Sequence, residues 1–306
     1  MKVGILGSGF GLYGYLPALI LGGNVQVLLP VRYKKKMFER SDVSRFTHQV
    51  RWLNDEEAVL TASEALVISR RPEDQVRIVK ECCTRDNIGY LLLEKPLGSN
   101  PLTAGLTLDL LSRTPKAVRI GYTFRYTSWA HDLMNLKYKG TLQEPITIEW
   151  HFRASHYQTS NQNWKRLVSM GGGAVRFFGI HLIALLAEIG YTTVRASAIT
   201  AKNANEAEQW TAIFTAPELP DAHICLDSNA TSSRFLVQTD RLITSLSDPF
   251  EMTQSTGHLD RRVTVIGKLC NDLFHSSPGF PRWYQAVGDL WLAAESLAKQ
   301  NTDKVH

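Results

Sequence analysis

Apolar positions in the first 120 residues fall into short continuous runs divided by segments with helical spacing. Val3–Leu6, Val25–Leu29, Ala65–Ile68, Tyr90–Leu93 and Ala117–Tyr122 each read as a strand buried on both faces. Between them, Ala18–Leu21, Glu73–Cys83 and Thr103–Leu111 carry helical patterns. Such alternation predicts an α/β domain, a doubly wound parallel sheet with helices on both faces. Ligands of such sheets bind beyond the carboxyl ends of the strands.

After residue 120 the pattern changes. One helix is predicted over Trp129–Lys137, and then strand-like segments dominate: Ile146–Arg153, Val194–Thr200, Trp210–Thr215, His223–Ser228, Phe235–Thr239 and Leu242–Ser245. They are interrupted by Gly171-Gly172-Gly173 and an apolar helical stretch, Ala174–Ile189, and the last helix, Trp283–Gln300, is amphipathic. The reading is a second, α+β domain on a largely antiparallel open sheet, with the domains divided as 1–120 and 121–306. At 306 residues the chain is long enough for two cores.

A net charge of +5 with dispersed basic residues suits a small anionic ligand and argues against nucleic acid. No apolar run is predicted to cross a membrane, and the N-terminus has no secretory pattern. Cys82, Cys83, Cys225 and Cys270 have neither disulfide nor zinc spacing, so reduced thiols, no metal site and a cytoplasmic location are expected.

The richest stretch is residues 1–17. A buried strand runs directly into Gly7, Gly9, Gly11 and Gly14, and a helix follows Pro17. Strand, glycine turn and helix form a cradle for a pyrophosphate: Gly7 permits the tight turn, Gly9 lets phosphate approach the backbone, and the helix aims unpaired N–H groups at the anion. Leu12 stands where a third glycine belongs if the frame starts at Gly7. At the end of the second strand, Pro30-Val31-Arg32-Tyr33-Lys34 offers no carboxylate for ribose hydroxyls, while Arg32 and Lys34 could hold a 2′-phosphate; NADP is expected as cofactor, with NAD the alternative.

Glu94-Lys95-Pro96, closing a strand about ninety residues after the glycine loop, resembles the signature of the Gfo/Idh/MocA oxidoreductases. Gly7-Ser8-Gly9-Phe10-Gly11 with Leu16-Pro17-Ala18, then Arg125-Tyr126, Trp164-Lys165, the glycine triplet and Gly179-x-His181 resemble further family segments. The resemblance implies a Rossmann domain followed by a domain whose open sheet often forms an oligomer interface, hence a homodimer or homotetramer. It implies hydride transfer between a nicotinamide cofactor and a sugar-like or other small carbonyl or alcohol substrate. Lys95 and His181 become the catalytic candidates. Gly7, Ser8, Gly9, Phe10, Gly11, Arg32, Lys34, Ser69, Arg70, Glu94, Lys95 and Pro96 become the cofactor candidates, with Pro96 in a cis peptide. Arg125, Trp164, Lys165, Phe177 and His181, with Tyr157 and Arg166, become the substrate wall.

The chemistry needs a group that shuttles the hydroxyl proton, and a lysine at a central strand end, beside a cationic ring in a closed cleft, suits it. Two residues depart from the family pattern. Phe177 stands where many members have an aspartate four residues before the histidine, and Gln75 stands near a position often histidine. On a regular helix Phe177 and His181 share a face. Three readings stay open: a reductase using Lys95 with His181 or a tyrosine, a reductase of a less hydroxylated substrate including an imine or conjugated double bond, or a non-catalytic dinucleotide-binding sensor or scaffold.

Overall fold

A computed structural model describes residues 1–159, 163–203, 205–250, 258–275 and 279–302. The chain forms two compact units, one of residues 1–97, 106–123 and the described residues between 258 and 281, the other of the remainder. The predicted division at 120 lies close to the passage from Thr123 to Phe124, but 98–105 group with the second unit and the segment after 258 returns to the first.

The first unit holds a six-stranded parallel sheet in the order β3-β2-β1-β4-β5-β6. Its strands are β1 (Lys2–Leu6), β2 (Gln26–Pro30), β3 (Val50–Leu53), β4 (Ala65–Ile68), β5 (Tyr90–Leu93) and β6 (Ala117–Ile120). The reversal of strand order between β1 and β4 makes the switch point at which such sheets bind ligands. The helices are α1 (Leu16–Gly22), α2 (Lys34–Phe38), α3 (Ser41–Ser44), α4 (Glu56–Ala62), α5 (Pro72–Cys83) and α6 (Pro101–Ser112), of which 106–112 belong to this unit. Their ends carry expected signals: Pro72 opens α5 with Glu73 and Asp74 in its first turn, and the Asp55 carboxylate caps α4 by accepting from Ala58 N at 2.8 Å. The strand β3 and helix α4 fall in a stretch where no element is predicted. β3 is four residues long with only Val50 buried, so its period is invisible.

The second unit carries α7 (Ser128–Tyr138), β7 (Ile146–Arg153), α8 (Ser155–Gln158), α9 (Ile180–Ile189), β8 (Thr193–Asn203), β9 (Glu206–Ala216), β10 (Leu219–Asp227), β11 (Asn229–Gln238) and β12 (Ile243–Leu246). Its sheet runs β12-β11-β7-β10-β9-β8; β7 and β10 are parallel and the other pairs antiparallel. Ile146, Ile148 and Trp150 face the core, while Thr147, Glu149 and His151 alternate with them on the other face.

Two late helices close the chain, α10 (Val263–His275) and α11 (Trp283–Thr302). The apolar side of α10 (Val263, Ile266, Leu269, Cys270, Leu273) is buried against α1, β5 and β6, which is why this segment belongs to the first unit. Arg119 of β6 pairs with Asp272 at 2.9 Å, and Val118 N donates to Gly279 O at 3.1 Å, covering the β6 edge. In the second unit α11 packs on α9 and β8. Val168–Ile189 corrects one sequence expectation: it is 22 residues long and holds an 18-residue window of mean hydropathy 1.6, long and apolar enough to span a membrane, yet 83% of that window is buried within the protein.

Candidate active site

In the first unit the carboxyl ends of β1, β4, β5 and β6 lie in register, Leu6 beside Ile68, Ile68 beside Leu93 and Leu93 beside Ile120. The residues that follow each strand therefore line up: Gly7, Ser69, Glu94 and Gly121. Gly7 has φ +137°, and a Cβ there would stand 2.1 Å from Ser69 O, so only glycine fits. A Cβ on Gly9 would meet no atom within 4 Å, so this side of the loop is open. Gly11–Tyr15 forms a single π-helical turn leading into α1. Gly14 packs under the Phe10 ring, which also meets Tyr13 and Tyr15 edge-on and the Arg262 guanidinium face-on at 4.1 Å.

Lys95 is 5% exposed and is joined to Pro96 by a cis peptide, as the resemblance implies. Glu94 is held from two sides. Buried Tyr15 donates its hydroxyl to Glu94 Oε2 at 2.6 Å, and Gln75 Nε2 donates to Glu94 O at 2.8 Å. Burial and the adjacent carboxylate raise the Tyr15 phenol well above its ordinary range, which keeps it a donor. Gln75, singled out in the sequence as a departure, thus fixes the loop that presents Lys95.

At the end of β2 the buried Tyr33 hydroxyl accepts from Gly7 N at 3.0 Å and donates to Glu56 Oε1 at 2.8 Å. Arg32 and Arg70 also donate to Glu56 Oε1. The carboxylate absent from β2 is therefore present at this corner, supplied from the first turn of α4. Lys34 lies over the Trp52 indole at 5.9 Å, whereas Lys36 Nζ donates to Ser8 Oγ at 2.9 Å, placing the ammonium on the glycine loop. The sequence reading missed Tyr33, Lys36 and Glu56. Lys36 lies two residues beyond Lys34, just outside the segment read from the sequence.

In the second unit the glycine triplet has a steric cause. A Cβ on Gly172 would stand 2.3 Å from Trp164 O, and Gly173 N donates to Lys165 O at 2.8 Å. The backbone contact brings Trp164 and Lys165 to Phe177, the indole edge-on at 5.4 Å and the ammonium over the ring at 5.3 Å. The expected straight helix begins instead as a π-helical segment, Ala174–Gly179, before α9. His181, 6% exposed, stacks on Phe124 at 4.9 Å and meets Phe250 edge-on. Arg125 pairs with Glu188 at 2.8 Å and covers the Tyr126 and Trp283 rings.

Beside this wall lies a group the sequence reading passed over. His156, 4% exposed, sits between Tyr157 and Phe178. Burial, then the nearby Lys165 and Arg166 charges, lower its pKa to about 4. Arg166 makes a buried pair with Glu206 at 2.5 Å and covers the Tyr157 ring at 4.8 Å. Among the described residues no group of three or more His, Cys, Asp or Glu side chains could hold a metal ion.

No family model matches the chain, and no curated protein matches it in sequence. Solved structures match it in fold. A probable dehydrogenase from Thermotoga maritima superposes with a TM-score of 0.75 at 13% identity, covering 98% of this chain and 97% of its own. The myo-inositol dehydrogenase from Lactobacillus casei, in complex with NAD(H) and myo-inositol, gives 0.68 at 13% identity over 98% and 95%. The WlbA dehydrogenase from Bordetella pertussis, in complex with NADH and UDP-GlcNAcA, gives 0.71 at 11% identity over 98% and 96%. The fold is the one found in dehydrogenases of the Gfo/Idh/MocA type.

Proposed function

We propose that this protein is an NAD(P)-dependent oxidoreductase that moves hydride between a nicotinamide cofactor and a sugar-like or other small carbonyl or alcohol substrate. One observation carries the reading: an open glycine cradle after β1 and a buried lysine after β5 stand at the carboxyl ends of the two strands that flank β4, beside the switch point of a 3-2-1-4-5-6 sheet. The cradle fits a dinucleotide, since Gly9 leaves open space and Lys36 adds positive charge at Ser8. Ser8–Gly11 and Lys36 would hold the pyrophosphate, and Arg32 and Arg70 would take the adenosine side. The cofactor, when bound, supplies the hydride acceptor or donor.

Lys95 Nζ holds and moves the proton of the substrate's reacting oxygen, while Tyr15 and Gln75 fix its loop through Glu94. Trp164, Lys165 and Phe177 form an aromatic, cationic substrate wall, and His181 is a second proton-handling candidate. Two guanidiniums at the adenosine corner support NADPH over NADH, and the outer face of the second sheet supports assembly with a second copy. The test is fluorescence titration with NADPH and NADH, followed by a 340 nm screen of sugars, nucleotide sugars and keto acids. Turnover of any of these supports the reading. Binding without turnover on every one assigns the non-catalytic alternative, which Phe177 in the aspartate position favours.

A further inference from the structure

The corner formed by Arg32, Tyr33, Glu56 and Arg70 has an unusual arrangement. Three donors converge on one carboxylate oxygen, Glu56 Oε1. The group is reachable from solvent, with side-chain exposures of 57% for Arg32, 29% for Glu56 and 23% for Arg70. It is also fixed to the glycine loop, because Tyr33 bridges Gly7 N and Glu56 Oε1. A surface ion pair needs none of this anchoring. In a sheet of this order the region beside the first glycine and the end of β2 receives the adenosine ribose, whose 2′ substituent distinguishes the two nicotinamide dinucleotides. There the two guanidiniums attract a 2′-phosphate, and the carboxylate already lodged between them repels it and competes for the same N–H donors.

We propose that Glu56 is the specificity-determining residue of this corner, a carboxylate from α4 that holds Arg32 and Arg70 in place and sets the ratio of NADPH to NADH affinity by opposing the 2′-phosphate. This rests on the dinucleotide-binding reading. Glu56→Gln removes the charge and keeps an acceptor oxygen for Tyr33. The expected result is NADPH binding tightened about tenfold, the size of a modest charge–charge interaction at a part-exposed site. NADH affinity should change less than about threefold, since its 2′-hydroxyl carries no charge to repel. The gain should shrink at high ionic strength, a response a merely structural role would not give. Glu56→Ala gives the same reading if the glutamine variant does not fold, and Arg32→Ala should weaken NADPH binding alone. All are measured as dissociation constants by nucleotide fluorescence at low and high salt, so turnover is not needed. If both nucleotides bind the parent and the ratio is unmoved in Glu56→Gln, or both affinities change together, the role of Glu56 is overturned while dinucleotide binding stands. If neither nucleotide binds the parent, both fall.

Discussion

Lys95 is the residue to which the proposed function gives the proton transfer, and its setting says how it should respond to change. Its neighbours are restrained by Tyr15 and Gln75 through Glu94, so the side chain can be shortened without collapse of the loop. Lys95→Ala should reduce turnover by roughly 100- to 10,000-fold with cofactor affinity nearly intact, the range for a lost proton-transfer group. Near-parental turnover would make the Glu-Lys-Pro loop structural only. Gly172 is the opposite case, a residue with no chemistry and no room. Its missing Cβ would meet backbone oxygens of Trp164 and Lys165 within 2.5 Å, and backbone cannot rotate away as a side chain can. Gly172→Ala should cost about 3 kcal/mol or more, read as a fall in thermal midpoint. His156 links burial to pH. Its folded pKa of about 4 lies below the roughly 6.5 of an unfolded histidine, so between these values the unfolded chain binds the extra proton. Stability therefore falls as pH drops from about 6.5 to about 4, by about 2 kcal/mol after allowance for solvent screening. His156→Gln should flatten that limb in thermal unfolding measured across the window.

At the scale of elements, what could be read from the sequence followed from continuous apolar runs. Ala65–Ile68 and Tyr90–Leu93 are strands with the predicted ends, because their residues are buried on both faces or nearly so. Ile146–Arg153 was equally plain, through its alternation. The glycine loop and the Glu-Lys-Pro loop were legible because each needs particular residue types at particular spacings. Glu56 was not. It reaches the corner of Arg32, Tyr33 and Arg70 because β3 lies beside β2 and α4 follows β3, an adjacency created by sheet order with no periodic trace in the chain. The same holds for α10, whose amphipathic face was visible in principle but whose partner, α1, lies some 250 residues earlier. The shared face expected of Phe177 and His181 assumed a regular helix, and the π-helical segment changes the angle between successive residues there.

At the scale of the whole molecule, the outer face of the second sheet is the surface to which the proposed self-assembly is assigned. Thr147, Glu149, His151, Ile213, His223 and Cys225 alternate with core residues, and all six are only half-exposed. If this face joins two copies, light scattering should give at least a dimer mass, and Ile213→Glu should return the monomer with its fold intact. A monomeric parent would exclude assembly by this surface. Connectivity has a different consequence. The first unit is completed only by α10 and Gly279, so its last pieces are translated only after all of β7–β12. Until then the α1 surface and the β6 edge stand bare on the nascent polypeptide. Shortened products ending before α10 should thus recruit holding chaperones or proteases, and a cut near residue 123 should not yield a free-standing nucleotide-binding fragment.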